Sequence, residues 1–292
     1  MIEGFKIGFM PTGSLAKIPI DDTCDILKRI GYDAVEWPIS VLCPNTNNVR
    51  VLDDIMKRTK SHDLAVSEVV VQQDYVVADH ESRQRNINYT TRCIETLSSV
   101  GVKVINLYTG PVPWNKNPVR LGQDMDQGRA WDMVFRAFDQ FVPLAEKHHI
   151  YLAIENVWGM LCSDFYTAWY LINHYRSPYL GVNYDPSHDI LAGNNDIGWI
   201  IRQWGADQIF HIHLKDAAGT TEKGRFVFPL IGEGHVNWCS FFSTLREIGY
   251  SNYASVEFES FSYLKAILNN DMGAAAALSY DLLKKVIPKH VP

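Results

Sequence analysis

The sequence has 292 residues, of which 47% are hydrophobic and 21% are charged, and its formal net charge is −6. This composition is typical of a globular protein with a sizeable core. The negative charge argues against nucleic acid and anionic membranes as partners, because proteins usually bind phosphate groups with a basic surface.

The sequence predicts neither a secretory signal nor a membrane span. Its first residues, MIEGFKIGFMPTG, lack the basic region, the long apolar stretch and the cleavage site of a signal peptide. No apolar run approaches the roughly 18 residues that cross a bilayer. The five cysteines are scattered, without a CxxC pair, which favours reduced thiols and a cytoplasmic location.

Strand-like and helix-like patterns alternate along the chain. Eight β-rich apolar runs cover residues 5–9, 34–37, 65–70, 104–107, 151–155, 180–184, 209–213 and 253–257. Apolar residues at helical spacing lie between them, for example over 23–30, 130–148, 241–248 and 274–286. Strands separated by single helices form parallel units, and eight such units make a barrel of about 250 residues. The pattern therefore predicts an α/β fold, a single-domain (β/α)8 TIM barrel spanning residues 1–292.

The longest interruption of this pattern covers residues 109–125, after the fourth predicted strand, and it is rich in proline and glycine. Loops that follow barrel strands form the active-site face. The segment is therefore a candidate substrate wall or lid, with a plain surface excursion as the alternative.

Four residues of metal-binding types close the last four predicted strands. Glu155, Asp185 and Glu257 supply carboxylates, and His213 supplies an imidazole. Because the carboxyl ends of parallel barrel strands meet at one face, one divalent cation would explain all four. Taken singly, each of them could equally be a helix cap, an ion-pair partner or a core residue.

The ligand types also indicate which metal to expect. Side chains alternate along a strand, so His211 and His213 share a side, but His213 is nearer the carboxyl end and His211 is expected one layer deeper. Three carboxylates with one imidazole form a hard, oxygen-rich set. The predicted cofactor is one divalent metal ion, with Mn²⁺ preferred and Mg²⁺, Co²⁺ or Zn²⁺ compatible.

Short motifs around these residues resemble those of a known superfamily. They are Ile154-Glu155-Asn156, the Asp-Pro-Ser-His of residues 185–188, His213-Leu214-Lys215-Asp216 and the Gly-Glu-Gly of residues 232–234. On these motifs the chain is similar, over nearly its whole length, to the xylose isomerase-like TIM barrels and in particular to ketose 3-epimerases. This sugar isomerase and epimerase superfamily also includes inosose dehydratases, hydroxypyruvate isomerases and endonuclease IV.

The resemblance to ketose 3-epimerases implies roles for the predicted ligands. Glu155, Asp185, His213 and Glu257 would bind the metal, and Glu155 and Glu257 would also be the catalytic pair that exchanges a proton with the sugar. The cation would polarise a carbonyl and stabilise the enediolate that remains after a neighbouring C–H proton leaves. His188 matches a histidine that bonds a substrate hydroxyl; a solvent-facing residue at a helix start is the alternative.

Four further residues are candidate substrate contacts. Lys215 shares the parity of His213 and is expected at the barrel mouth, where it would either bind a substrate oxygen or remain a solvated rim residue. Glu68 lies towards the end of the third predicted strand. Trp114 and Trp158 could form an apolar wall for a sugar ring, although aromatic side chains also fill cores.

Departures from the family pattern bear on the substrate. The epimerases of free ketohexoses have a carboxylate six residues after the first ligand and an arginine six residues after the histidine ligand, where this chain has Leu161 and Gly219. A different or substituted sugar is therefore expected. Endonuclease IV takes further histidines from its third and fourth strands, which here read 67-SEV-69 and 105-INL-107, so DNA repair is not expected. The lack of a glycine-rich phosphate loop favours an unphosphorylated sugar.

The predicted function is a metal-dependent sugar isomerase or epimerase that moves a proton next to a carbonyl. The alternative is a metal-dependent lyase or dehydratase that acts on a keto-inositol or a 3-keto-glycoside, because both routes begin with the same enediolate. A catalytically silent sugar-binding barrel is an alternative from a different class. The expected partner is a small-molecule sugar or sugar derivative, without nucleic acid or membrane, and the resemblance also allows a homo-oligomer.

Overall fold

The computed structural model describes residues 1–289 and contains a closed barrel of eight parallel strands. In chain order the barrel strands are β1 (Lys6–Phe9), β2 (Ala34–Pro38), β3 (Ala65–Val70), β4 (Val104–Leu107), β5 (Tyr151–Glu155), β6 (Leu180–Tyr184), β7 (Ile209–Leu214) and β10 (Tyr253–Val256). A short antiparallel hairpin of β8 (Ala218–Gly219) and β9 (Phe226–Val227) lies between β7 and β10. Strand β10 pairs with both β7 and β1 and so closes the ring.

Helices alternate with the strands and surround the barrel. They are α1 (Ile20–Ile30), α2 (Val49–Ser61), α3 (His80–Ser99), α4 (Gln127–His148), α5 (Phe165–Tyr175), α6 (Pro186–Ala192), α7 (Ile197–Gln208), α8 (Trp238–Glu247), α9 (Phe261–Ala266) and α10 (Met272–Val286). Helix α4 illustrates their packing, because Val134, Phe138 and Phe141 are spaced so that they lie on one buried face. Across residues 1–289, no helix has the length and hydropathy that a bilayer span requires.

The predicted TIM barrel is confirmed. Each of the eight predicted runs coincides with a barrel strand to within one residue at either end. The helices begin two or three residues earlier than their apolar spacing indicated, because polar caps and first turns carry no apolar periodicity. Asn237, for example, accepts a hydrogen bond from the backbone N–H of Ser240 and so starts α8 ahead of its first periodic turn.

Polar side chains occupy much of the barrel interior. His211 and His213 of β7 are fully buried, and Asn183 of the neighbouring β6 lies within hydrogen-bond distance of both. Ser255 of β10 is bonded to the Nε2 of His211 at 3.0 Å. Apolar side chains usually fill the interior of TIM barrels, and here hydrogen bonds between these polar side chains replace part of that packing.

Two insertions follow barrel strands at their carboxyl ends, the face on which TIM-barrel active sites are built. The first, residues 108–126, connects β4 to α4, and it is held by Asp74, whose Oδ2 accepts a hydrogen bond from Val112 N at 3.0 Å. The second connects β7 to α8 and contains the β8–β9 hairpin. Both insertions contribute side chains to the cavity described below.

Candidate metal centre

Four side chains from the second half of the barrel converge at the carboxyl ends of their strands. Glu155 ends β5, Asp185 follows β6, His213 lies on β7 and Glu257 follows β10; we call these four the outer cluster. One potential ligand atom from each lies within 4.8 Å of those from the others. The structure thus brings together the four residues that the sequence predicts as neighbours.

Two amides hold the first of these carboxylates in a fixed orientation. Gln72 Nε2 donates to Glu155 Oε2 at 2.7 Å, and Asn106 Nδ2 donates to the same oxygen at 3.2 Å. The other oxygen, Oε1, is 3.1 Å from His213 Nδ1. Gln72 could not be predicted from the sequence, because a polar residue just after a strand resembles any other loop residue.

Asp185 is positioned by the start of α6. Its Oδ1 accepts a hydrogen bond from Ser187 N at 2.8 Å, as an N-cap does, and Pro186 occupies the first turn. The side chain of Asn156 bonds the backbone N–H and C=O of Asp185, at 3.1 and 3.0 Å. The motifs at 154–156 and 185–188 therefore connect the ends of β5 and β6 by hydrogen bonds. The second carboxylate oxygen of Asp185, Oδ2, faces the outer cluster.

Lys215 lies among the carboxylates and not on a solvated rim. It is 3% exposed, and its Nζ is 2.5 Å from Glu257 Oε2, 2.9 Å from Asp185 Oδ2 and 3.1 Å from Glu259 Oε2. His188 is also buried, with Nε2 3.3 Å from Asp185 Oδ2, so it faces the cluster and not solvent. Glu259 was not predicted from the sequence, although its strand parity with Glu257 could have indicated it.

A second group of the same residue types lies deeper in the barrel and shares His213. We call Glu36, Glu68, His211 and His213 the inner cluster; all four are fully buried. Glu36 Oε1 is 2.9 Å from His213 Nε2, and Glu68 Oε2 is 2.9 Å from His211 Nδ1. The expectation that Glu68 contacts substrate is therefore corrected: its side chain is enclosed in the barrel against His211.

His213 connects the two clusters through its two ring nitrogens. Nδ1 faces Glu155 Oε1 at 3.1 Å and Glu257 Oε2 at 3.2 Å, whereas Nε2 faces Glu36 in the inner cluster. Burial disfavours a charged imidazole, but the three carboxylates of Glu36, Glu155 and Glu257 raise the pKa of His213 well above its usual value. An Nε2–H bonded to Glu36 leaves Nδ1 as the nitrogen available to a metal.

Burial and neighbouring charges shift the other pKa values in different directions. Burial raises the pKa of Glu155, against the opposing effect of His213. Burial would also raise the pKa of Glu257, but the Lys215 ammonium and His213 hold it well below its usual range. Burial lowers the pKa of His188 to about 3, so this imidazole is neutral at physiological pH.

A cavity of about 460 Å³ lies above the outer cluster. The polar side chains that line it are Gln72, Glu155, His188, Lys215, Glu257 and Glu259. Trp114 and Trp158, both candidate wall residues from the sequence, also line it, together with Phe226, Phe228 and Phe261. The three phenylalanines were not predicted from the sequence, because they lie in segments after β7 and β10 that carry no periodic pattern.

Asp216 anchors the loop that carries the hairpin. Its Oδ2 accepts hydrogen bonds from Gly232 N at 2.9 Å, Gly234 N at 3.1 Å and Trp238 Nε1 at 2.9 Å. A Cβ at Gly234 would collide with Asp216 Oδ1. The motifs at 213–216 and 232–234 are therefore two halves of one loop anchor.

The two departures from the ketohexose epimerase pattern have different surroundings. Leu161, in place of a carboxylate, is a buried core residue that is 2% exposed. Gly219, in place of an arginine, lies in the hairpin with a φ of 117°, and a Cβ there would collide with the backbone oxygen of Arg225. The hairpin therefore requires glycine where the family pattern has arginine.

The outer cluster fits a divalent cation by its own chemistry. Asp185 Oδ2 is buried and accepts no hydrogen bond of good geometry, so it keeps a lone pair for a ligand. Three carboxylates and one imidazole are ligands that Mn²⁺, Mg²⁺ and Zn²⁺ accept. Glu155 and Glu257 line the cavity, which gives the cluster contact with a bound small molecule.

The sequence profile described as xylose isomerase-like TIM barrel matches residues 24–285. The chain belongs to this family. Its barrel thus carries two buried carboxylate–imidazole clusters on a scaffold shared with known sugar isomerases and epimerases.

Several relatives of this family are similar along almost the whole chain. An inosose isomerase from Bacillus velezensis is 21% identical over 291 residues, which cover 97% of this chain and 99% of the relative. A crystal structure of the IOLI protein with a zinc atom has a TM-score of 0.77 at 19% identity, covering 98% of this chain and 99% of the other. The 3-keto-D-glucoside 4-epimerase YcjR from E. coli has a TM-score of 0.72 at 18% identity, covering 97% and 98%. At these identities the two structural likenesses establish the fold alone.

Proposed function

We propose that the chain is a divalent-metal-dependent sugar isomerase or epimerase that transfers a proton at a carbon next to a carbonyl. The observation that carries the proposal is the convergence of the outer cluster beneath a cavity in a barrel of this family. Glu155, Asp185, His213 and Glu257 are the metal ligands, and Glu155 and Glu257 are also the catalytic pair.

The proposed cofactor is one divalent ion, with Mn²⁺ preferred. Its oxygen-rich ligand set supports a hard cation, and Mg²⁺, Co²⁺ and Zn²⁺ are compatible with the same donors. The IOLI structure contains zinc, which supports the compatibility of this fold with that metal. A bound ion supplies polarisation of the substrate carbonyl and stabilises the negative charge that develops when the neighbouring proton leaves.

Glu155 accepts the proton in this proposal. Gln72 and Asn106 fix its carboxylate, and the side chain is only 2% exposed, so water competes little for the proton. Glu257 approaches the same His213 nitrogen from β10 and carries the second proton transfer. Two carboxylates that reach one substrate from different strands can act on two faces of a reacting carbon.

Three further side chains bind the sugar. Lys215 Nζ supplies a positive charge at the floor of the cavity, where it neutralises charge on a substrate oxygen. The neutral imidazole of His188 bonds a hydroxyl, since a neutral ring can both donate and accept. Trp158 lines the cavity beside them and contacts the apolar face of the sugar ring.

Proton NMR in D₂O tests the proposal directly. The protein is loaded with diamagnetic Mg²⁺ or Zn²⁺ and incubated with ketoses, keto-inositols and 3-keto-glycosides. We expect the C–H signal beside the carbonyl to disappear and an epimer or an aldose to form. No exchange with any of these compounds, despite bound metal, would contradict the proposal.

Two Glu→Gln substitutions provide a matched comparison for this experiment. Glu155→Gln should remove the exchange, because an amide does not accept the proton. Glu247→Gln makes the same change in an exposed residue of α8 that is paired with Arg202, so exchange should be retained. If both variants exchange at the same rate, Glu155 is not the base.

A lyase is the second candidate, and the space that the cavity keeps beyond its polar floor favours it. The same C–H proton would pass to Glu155, and the electron pair left on carbon would expel a substituent from the next carbon along the sugar. If the same NMR experiment shows release of water or of an aglycone, and no epimer forms, the reaction is that of a lyase.

A further inference from the structure

We infer that the cavity takes a keto-sugar that carries a planar aromatic substituent. The sugar lies on the polar floor, and the substituent lies against a set of aromatic side chains. This inference rests on the proposed proton transfer at the floor and adds the class of substrate to it.

The aromatic side chains of the cavity come from four separate segments. Trp114 lies in the insertion after β4, Trp158 follows β5, Phe226 and Phe228 follow β7, and Phe261 follows β10. We call these five residues the aromatic wall. Because four segments contribute to it, the wall is not the buried face of a single packed element.

Four of the five rings form a continuous series that ends beside Lys215. The ring centroids of Trp114 and Trp158 are 6.3 Å apart, those of Trp158 and Phe226 are 4.8 Å apart, and those of Phe226 and Phe228 are 5.3 Å apart. At the floor, the ring of Phe228 lies 4.8 Å from Lys215 Nζ. The part of a ligand that extends away from Lys215 can therefore contact the aromatic wall.

The wall keeps ring surface available to a ligand. Trp114 is 54% exposed and Phe261 is 59% exposed, while Trp158, Phe226 and Phe228 are partly buried. Exposed rings gathered around one cavity are typical of a site for an apolar group, whereas apolar residues scattered singly over a surface need no explanation.

The distribution of polar side chains in the cavity favours a substituted sugar over a free one. A free sugar carries hydroxyls on all its edges, and a buried hydroxyl without a partner costs free energy. Of the described residues that line the cavity, those with charged, amide or imidazole side chains are the ones grouped around Glu155 and Lys215. The other side chains that line the cavity are apolar, and most of them belong to the aromatic wall, which stacks on a flat aromatic group with favourable geometry.

The size of the cavity agrees with this division. Its volume of about 460 Å³ lies within the range of pockets that hold drug-sized ligands, roughly 300–1,000 Å³. One sugar ring on the floor leaves space against the wall, and a phenyl-sized substituent can occupy it.

Methyl and phenyl glycosides of one 3-keto-sugar test the inference. Proton exchange of both is measured with the Mg²⁺-loaded protein, and the affinities of the corresponding non-oxidised methyl and phenyl glycosides are measured by calorimetry. We expect kcat/KM for the phenyl compound to exceed that for the methyl compound by about tenfold, mainly through KM, and Kd to differ in the same direction.

Two substitutions in the aromatic wall and one control substitution test whether the wall causes the preference for the phenyl compound. Phe226→Leu and Phe261→Leu should each reduce the preference for phenyl about threefold to tenfold, with little change in kcat for the methyl compound. Tyr170→Leu removes an exposed ring of α5 outside the cavity and should leave the preference intact.

The outcomes separate this inference from the proposed function. Equal kcat/KM and equal Kd for the two glycosides would overturn the inference while the proton transfer stands. If neither keto-glycoside exchanges, the calorimetric preference still decides the aromatic substituent: a tighter phenyl glycoside supports it, and equal or undetectable binding overturns it. The proposed function itself fails only if the ketoses and keto-inositols do not exchange either.

Discussion

The outer and inner clusters contain the same types of residue and share His213, but they differ in access. Glu155 and Glu257 of the outer cluster line the cavity, whereas Glu36, Glu68 and His211 of the inner cluster have no exposed surface. A set of carboxylates and imidazoles is therefore not sufficient to define a reactive centre. Contact with a cavity is what distinguishes the two.

The clusters also differ in what balances their negative charge. In the outer cluster the Lys215 ammonium lies within 2.9 Å of carboxylate oxygens of Asp185 and Glu257, and we propose a metal ion beside it. In the inner cluster, Glu36 Oε2 and both oxygens of Glu68 accept no hydrogen bond of good geometry, and burial raises the pKa of Glu68 to about 7. Near neutral pH Glu68 is therefore partly protonated, which reduces the negative charge of the inner cluster without a cation. We infer that the inner cluster orients His213 and that the outer cluster carries out the chemistry.

The largest effect is expected from Glu155→Gln in the outer cluster. A positioned general base contributes about 10²–10⁴-fold to rate. We expect proton exchange to fall by about this factor, while circular dichroism and the melting temperature show a folded protein. The metal content of the variant is determined in parallel, so that a lost base can be distinguished from a lost ligand. Unchanged exchange would remove the distinction between the clusters.

Substitution of Glu36 tests the orienting role of the inner cluster. Partners that orient a metal-binding histidine typically change metal affinity about 10–100-fold when removed. We expect Glu36→Leu to weaken metal binding by this factor, and Glu36→Gln to recover part of the loss because its amide oxygen still accepts from His213 Nε2. Calorimetric titration with Mn²⁺ measures both. Equal Mn²⁺ affinity in the wild type and both variants would show that metal binding by His213 does not require its hydrogen bond to Glu36.

Metal affinity should depend on pH through His213. Its pKa in the metal-free protein is raised well above the usual value, so the ring carries a proton at neutral pH that a metal must displace. Apparent affinity should therefore rise with pH, by about tenfold per unit for one displaced proton. Titrations in buffers of different ionisation enthalpy count the released protons. A pH-independent affinity would contradict the assignment of His213 as a ligand.

The smallest expected effect is a pH dependence of the free energy of unfolding, which arises from Glu68 in the inner cluster. Burial raises the pKa of Glu68 from 4.5 to about 7, against the opposing effect of His211, and Glu36 adds to the increase. The folded state therefore retains a proton that the unfolded state releases, so this contribution to stability is present below pH 4.5 and is lost as pH rises through about 7. The loss amounts to at most about 3 kcal/mol.

Glu68→Gln stays neutral and should lack this loss. Melting temperatures of the metal-free wild type and the variant, recorded between about pH 4 and pH 8, provide the comparison. The wild type should lose more stability than the variant across this range. Parallel curves would mean that Glu68 does not retain its proton in the folded state.

The sequence was sufficient for the barrel and for the outer cluster. Periodicity located the strands, and Glu155, Asp185 and Glu257 could be grouped because the carboxyl ends of parallel strands meet at one face. The inner cluster was less accessible to this reasoning. Glu36 and His211 were visible as polar residues in strands, but their contacts depend on the register across the barrel, including a shift between Val35 and Glu36.

The walls of the cavity were the least predictable part. Trp114 stood out because its loop is long and rich in proline. Phe226 and Phe228 did not, because their positions depend on a hairpin fixed by backbone contacts at Gly219 and by the anchor at Asp216. Such contacts join residues that are distant along the chain and leave no periodic pattern.

The most direct test of the distinction between the two clusters is anomalous diffraction from crystals grown with Mn²⁺. We expect one anomalous peak per chain, among Glu155, Asp185, His213 and Glu257. A peak among Glu36, Glu68 and His211, or no peak at a saturating concentration of Mn²⁺, would contradict the assignment of the outer cluster as the metal centre.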